Sequence, residues 1–153
     1  MVRLTDLTES EAQHYLDLPC PENTSSPWAA VPPLVDARIA IVTSAGLSLR
    51  SDETFRPGAS DYRVIPASID SGEMIMSHVS TNFDRTGFQQ DVNVVFPIDR
   101  LRELAADGVI GSVADYHYSF MGATEPEKME AKARELAGLL KEDRVNAVLL
   151  TPV

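Results

Sequence analysis

The chain has 153 residues, 44% of them hydrophobic, with 13 basic and 23 acidic side chains and a formal charge of −10. That length and apolar share fit one globular domain with a real core. The charge argues against nucleic acid or an anionic membrane as the main partner, because both call for a basic face.

No stretch approaches the roughly 18 apolar residues of a membrane span. The lone cysteine, Cys20, excludes an internal disulfide and fits a reducing, cytoplasmic setting. The start, Met1 to Asp6, has no basic region followed by an apolar run, so no signal peptide is expected. The expected layout is an N-terminal helix over 1–18, a Pro-rich connector over 19–36 and a core over 37–153.

In chain order, Thr8-Glu9-Ser10-Glu11 fits a capping box that opens a short amphipathic helix with Leu7, Ala12, Tyr15 and Leu16 on its stripe. Residues 19–33 hold five of the ten prolines and read as an extended connector, with Trp28 expected to anchor it on the core. Arg38 to Ser44 is continuously apolar after Arg38, which suits an interior parallel strand covered on both faces. Ala45-Gly46-Leu47 ends it, and 50–61 is polar loop. Tyr62 to Ile65 and Met74 to Ser77 are expected strands, 78–90 a loop, and Asn93 to Phe96 a strand or buried turn. Pro97 then suits the first turn of a helix with Ile98, Leu101, Leu104 and Ala105 buried and Gly108 ending it. Val109 to Gly122 carries no clear period. Thr124-Glu125-Pro126-Glu127 reads as a second capping box, opening a helix with Met129, Ala133, Leu136 and Leu140 on one face. Val145 to Val153 reads as a buried strand. Strands alternating with helices predict an α/β fold, a single domain with a mostly parallel sheet flanked by helices in Rossmann-like or flavodoxin-like layers, incomplete at its C-terminal edge.

Chemistry is less defined. Thr43-Ser44-Ala45-Gly46 follows a strand and has the position of a phosphate cradle, but neither G-x-G-x-x-G nor a P-loop pattern is present, and a plain turn is the expectation. His14, His78 and His117 lack metal-ligand spacing and accompanying cysteines, so no metal is expected. There is no G-x-S-x-G elbow, Ser77-His78 does not make a triad, and Cys20 between two prolines reads as an inert thiol. A cluster remains: Asp61-Tyr62-Arg63, His78, Asp91, Asn93, Asp99-Arg100 and Tyr116-His117-Tyr118. Arg63 and Arg100 either hold a carboxylate bidentately, or Arg100 pairs with Glu103 along its helix and Arg63 lies on the surface.

The run from Asp91 through Asn93, Phe96-Pro97 and Asp99-Arg100 to Gly108, Gly111 and Ala114, with Tyr118-Ser119-Phe120-Met121-Gly122, resembles the glycine/sarcosine/betaine reductase selenoprotein B and D-proline reductase family. Ile41 to Gly46, Asp61 to Pro66, and Ser77-His78 with Asp91 resemble further segments of it. The resemblance runs from about Trp28 to Val153. It implies reductive C–N cleavage at the α-carbon of a small amino acid or N-methylated amine, with a dithiol electron donor. It also implies a selenocysteine or cysteine, followed two residues later by a cysteine, just after a strand like Val148 to Val153. No such centre lies in the chain. It is expected directly after Val153, as in a selenoprotein read as stopping at its UGA codon, and the chain alone is then inactive. The competing expectation is a natural short form. By the same resemblance His78 assists protonation of the leaving amine, Asp91 orients His78, Arg63 holds a substrate carboxylate, and Asn93 and Tyr62 complete the pocket. A homo- or hetero-oligomer is expected. The alternatives are a non-catalytic subunit, or a ligand-binding or interaction domain whose terminal strand edge docks a partner.

Overall fold

The computed structural model describes residues 3–19, 26–80 and 84–153. Two compact units result, Met1–Ala30 and Val31–Val153. In the first, α1 (Glu9–Leu16) starts at the expected box: the Glu11 N–H donates to Thr8 Oγ1 at 3.4 Å, and the Thr8 N–H donates to Glu11 Oε2 at 3.1 Å. No residue of α1 is buried. Trp28, expected to anchor the connector, is instead 90% exposed.

The second unit is organised around β1 (Arg38–Thr43). β5 (Ser112–Val113) and β6 (Tyr116–Phe120) pair in parallel with successive stretches of one edge of β1. The other edge takes β7 (Ala147–Thr151), also parallel, along residues 39–43. β3 (Tyr62–Pro66) pairs antiparallel with β6. A separate antiparallel pair joins β2 (Leu47–Leu49) to β4 (Met74–Met76). The sheet is therefore mixed rather than mostly parallel, while the α/β class holds. Parallel strands need a crossover that the chain can fill with a helix. None lies between β1 and β3, so β3 runs back against its neighbour.

Each face of the sheet has its own core. Ile39 and Ile41 pack with Leu47, Ile65, Phe96 and the inner side of α3 (Ile98–Ala106), chiefly Ile98 and Leu101. Leu104, expected on that stripe, is 37% exposed. Gly108 ends the helix at φ 69°, a left-handed conformation that glycine adopts without strain. On the opposite face, Val42, Tyr118 and Phe120 meet Leu136, Leu139 and Leu140 of α4 (Pro126–Glu142). The expected capping box of α4 is absent: Glu125 is the N-cap without a side-chain bond, and the Thr124 hydroxyl donates to the Ala59 carbonyl at 2.7 Å. Pro126 at the first turn fixes the helix start by itself.

Four elements escaped the periodicity, the short strands β2 and β5 among them. α2 (Thr86–Gln90) is a five-residue helix inside the expected loop. β6 carries Tyr116-His117-Tyr118-Ser119-Phe120, four of them buried, with polar His117 and Ser119 on a core face. β7 reverses an expectation too. It is an edge strand, with Val148 41%, Leu149 37% and Leu150 68% exposed, because it pairs with β1 alone among the described residues and α4 packs on Val42, β6 and Tyr62 of β3 rather than on it.

His117 explains how β1 tolerates the jump between β5 and β6. Arg38 pairs with Ser112, but Val42 pairs with Tyr118, so β5 and β6 hold two more residues than β1 across the same span. At the gap the Ile41 N–H donates to His117 Nδ1 at 3.0 Å. The ring is fully buried, edge-on to Phe96 at 5.5 Å, and Nε2 has no partner among the described residues. Burial, with the charge of Arg102 added and Asp143 opposing, pushes its pKa from 6.5 to about 4. Below the fold, Arg38 binds the Asp143 carboxylate, which also accepts from the Asp115 N–H at 2.8 Å, tying β1 to the end of α4 and the β5–β6 junction.

Two outcomes follow for stability. A histidine with a depressed folded pKa contributes stability above its unfolded pKa of 6.5, and loses it as pH falls toward about 4. That gap is worth on the order of 3 kcal/mol. His117→Asn keeps an acceptor for Ile41 and removes the titration. Urea unfolding should show the wild type losing roughly that amount relative to the variant between pH 7 and pH 4; a difference independent of pH would contradict this role. Separately, Leu136→Ala should lower stability by about 2–5 kcal/mol, since its side chain is buried against Tyr118 and Phe120. Leu150→Ala, on the exposed strand, should stay within about 0.5 kcal/mol.

Candidate functional site

The parallel strands β1, β6 and β7 end on the same side, the usual place for a ligand crevice in such sheets. The turn after β1 lies at this end. The Ser44 N–H donates to the Thr151 carbonyl at 3.2 Å, the Ala45 N–H to Thr43 Oγ1 at 3.2 Å, the Gly46 N–H to the Phe120 carbonyl at 2.9 Å, and the Leu47 N–H to Ser119 Oγ at 2.8 Å. All four donors are occupied, so Thr43 to Gly46 is a plain turn and not a phosphate cradle.

Gly46 sits at φ 66°, and a Cβ there would lie 3.0 Å from the Cα and N of His78. The glycine thus lets His78 pack directly on the turn. The Ser77 N–H and hydroxyl both donate to the Gly46 carbonyl, at 2.9 and 3.3 Å, and Ser77 Oγ accepts the Phe55 N–H at 3.1 Å. That hydroxyl is structural rather than nucleophilic. His78 is buried, its Nδ1 accepts from the Ser80 N–H at 3.2 Å, and its carbonyl accepts from Arg85. Burial, then the Arg85 charge, hold its pKa below 6.5, so the imidazole is neutral at pH 7.

The carboxyl end of β7 is fastened to the same turn. The Val153 N–H donates to Ser44 Oγ at 2.8 Å, and the Ser44 hydroxyl faces the Val153 carbonyl at 3.4 Å. The Gly122 N–H donates to the Ser44 carbonyl at 2.8 Å, and a Cβ on Gly122 would meet the Ser44 and Val153 carbonyl oxygens at 2.8 Å each. Only glycine fits where these strand ends converge.

The other expected site residues stand elsewhere. Arg63 donates to the Glu53 carbonyl at 2.8 Å and to Asp61 at 2.6 Å, with its guanidinium 4.3 Å over the Phe55 ring. It is largely buried and internally paired, neither a surface arginine nor an open carboxylate clamp. The Tyr62 hydroxyl donates to Glu135 at 2.8 Å, and burial, with that carboxylate beside it, pushes its pKa up to about 12. Asp91 does not orient His78: its carboxylate accepts from Asn93, through the N–H at 2.9 Å and Nδ2 at 2.8 Å, which holds its pKa below the usual range. Asn93 is further spent on Asp99, as donor at 3.1 Å and as acceptor of its N–H at 3.0 Å. Asp91 and Asn93 therefore brace the entry to α3, beside a hollow of ≈ 400 Å³ that also touches Ser71, Phe88 and Asp99. Arg100 pairs with Glu103 at 2.7 Å, as the local alternative held. Of the expected set, the structure brings Asp91 and Asn93 together, and Arg63 and Tyr62 are strand neighbours; His78 alone packs on the strand-end turn.

Ser44, Gly46 and Gly122 were noted in sequence only as a candidate phosphate cradle and as family-like residues, not for the close packing they make here. Their signal is positional: small residues directly after two parallel strands, where backbones must approach. Cys20 lies outside the described residues. Among the described residues, no three or more His, Cys, Asp or Glu side chains gather as a metal site, and no helix is long and apolar enough to cross a membrane.

A family model described as glycine/sarcosine/betaine reductase selenoprotein B matches residues 3–153. D-proline reductase subunit gamma of Acetoanaerobium sticklandii is 38% identical over 121 residues, 77% of this chain and 49% of that protein. Glycine reductase complex component B subunit gamma of Symbiobacterium thermophilum is 35% identical over 128 residues, covering 78% of this chain and 30% of its own length. Betaine reductase complex component B subunit beta of Peptoclostridium acidaminophilum is 30% identical over 144 residues, covering 88% and 32%. The chain thus spans about half or less of the length of these relatives. No solved structure matches. The segments that carried the resemblance in sequence are the ones that build β1, its turn, β6 and α3, and the chain belongs to the glycine/sarcosine/betaine reductase selenoprotein B family.

Proposed function

We propose that this chain forms part of a cytoplasmic, dithiol-dependent reductase complex that cleaves the C–N bond of a small amino acid or N-methylated amine. Family membership carries this reading, with relatives named as D-proline, glycine and betaine reductase subunits. The buried His78 imidazole, packed on the turn where the parallel strands end, is in keeping with it, since α/β sheets present chemistry at that end.

The redox centre, a selenocysteine or cysteine with its partner thiol, adjoins Val153 and lies outside these 153 residues. It supplies the nucleophile, and the dithiol donor supplies two electrons and becomes a disulfide. His78 meets the leaving amine. Held below its ordinary pKa by burial and Arg85, it gains proton affinity when an anionic substrate carboxylate comes near, which suits it to pass a proton to nitrogen. Arg63, Asn93 and Asp91 keep framework roles here, because their polar atoms are taken. The assembly is hetero-oligomeric, in keeping with relatives named as subunits and complex components.

The 153-residue chain, given dithiothreitol with D-proline, glycine, sarcosine or betaine, should release no amine product. The form that carries the redox residue should turn over one of them. In it His78→Gln should lower kcat by about 100-fold or more, the usual worth of a general acid. Unchanged turnover would remove His78 from the mechanism, and absence of turnover with all four substrates would overturn the reductase reading.

A further inference from the structure

The carboxyl end of β7 is held in a way the ladder alone does not provide. The main-chain pairing of β7 with β1 ends at Thr151, whose carbonyl takes the Ser44 N–H. Two residues on, the Val153 N–H is taken by a side chain, Ser44 Oγ, at 2.8 Å, a full-strength hydrogen bond by distance. Two more side chains stitch the preceding residues. Thr43 Oγ1 donates to the Thr151 carbonyl at 3.2 Å, and Thr151 Oγ1 reaches the Val42 carbonyl at 3.5 Å. Gly122 closes the third side, accepted at the Ser44 carbonyl and too near the Val153 carbonyl for any Cβ. The other flank of the same turn seats His78 on Gly46.

We infer that Ser44 is a positioning residue: its hydroxyl fixes the backbone of Val153, and so sets where the redox residue adjoining it stands relative to the His78 side of the turn. This rests on the reading that the redox centre adjoins Val153. Reacting groups misplaced by an ångström lose much of their rate, so a clamp on the neighbouring peptide has a direct route to turnover without touching substrate. Ser44 is suited to this because one hydroxyl accepts from the Val153 N–H while facing its carbonyl, and because its own carbonyl anchors Gly122.

The test has two arms. In the 153-residue chain, amide hydrogen exchange at Val153 should be at least about tenfold slower than in a matching free peptide. Ser44→Ala should remove that protection and Ser44→Thr, which keeps the hydroxyl, should restore it, with the exchange of Ile41 unchanged. In the form carrying the redox residue, Ser44→Ala should lower kcat about tenfold or more at unchanged KM, with rescue by Ser44→Thr. Free-peptide exchange at Val153 in the wild type would overturn the clamp. A protected Val153 with kcat insensitive to Ser44→Ala would overturn positioning and leave a structural contact. A protected Val153 in a longer form that is inactive from the start would overturn the reductase reading, and positioning with it, while the clamp itself stood.

Discussion

The constraint on which the structure turns is the satisfaction of β1. This strand is buried on both faces and flanked on both edges, so each of its N–H and C=O groups must find a partner inside the protein. The main chain of the neighbours does not supply all of them. Asn146 Oδ1 takes the Arg38 N–H at 2.8 Å, and His117 Nδ1 takes that of Ile41 at 3.0 Å. Just beyond the strand, Thr43 Oγ1 and Ser119 Oγ take those of Ala45 and Leu47. Polar side chains on core-facing positions are thus not anomalies but replacements for carbonyls that the register jump and the turn withhold. An unsatisfied buried amide would cost about as much as several surface contacts contribute.

The same device shapes the turn at the strand ends. Because the amides of the turn are consumed internally, it presents no free donors to an anion, and its chemistry must come from side chains standing on it. His78 is the one that does so, through contact with Gly46. The substitution of side chain for ladder at Ser44 and Val153 is one more instance of the pattern, just past the last paired residues of β1 and β7. Structure and candidate chemistry thereby share one cause. The polar residues that complete the central strand also fix the geometry of its carboxyl end.

Much of this was legible in the sequence where periodicity or chain punctuation carried it. The unbroken apolar run of β1, the Pro97 start and Gly108 stop of α3, and the Thr8–Glu11 box all act through local physics. β6 was not legible, since His117 and Ser119 break its apolar pattern for a reason set by β1, 76 residues away. The α4 box failed for a similar reason: Thr124 spends its hydroxyl on Ala59, a partner 65 residues distant. In the site, residue types were readable but partners were not. Arg63, Asp91 and Asn93 look like free functional groups in sequence, and become framework only when Asp61, Glu53 and Asp99 are seen beside them.

β7 shows the remaining limit of pattern reading. Residues 145–153 contain no charge, and a run of that kind suits a strand covered on both sides. Yet Val148 and Leu150 stand on one face beyond the reach of α4, and Leu149 is partly exposed on the other. Natural edge strands are guarded by lysines, prolines inside the strand, or bulges. Here Pro152 lies past the last paired residue, and no lysine is present from Val145 onward. The exposure follows from neighbours and not from composition: β1 lies along one edge of β7, no described strand lies along the other, and an apolar run alone does not say how many sides of a strand are covered.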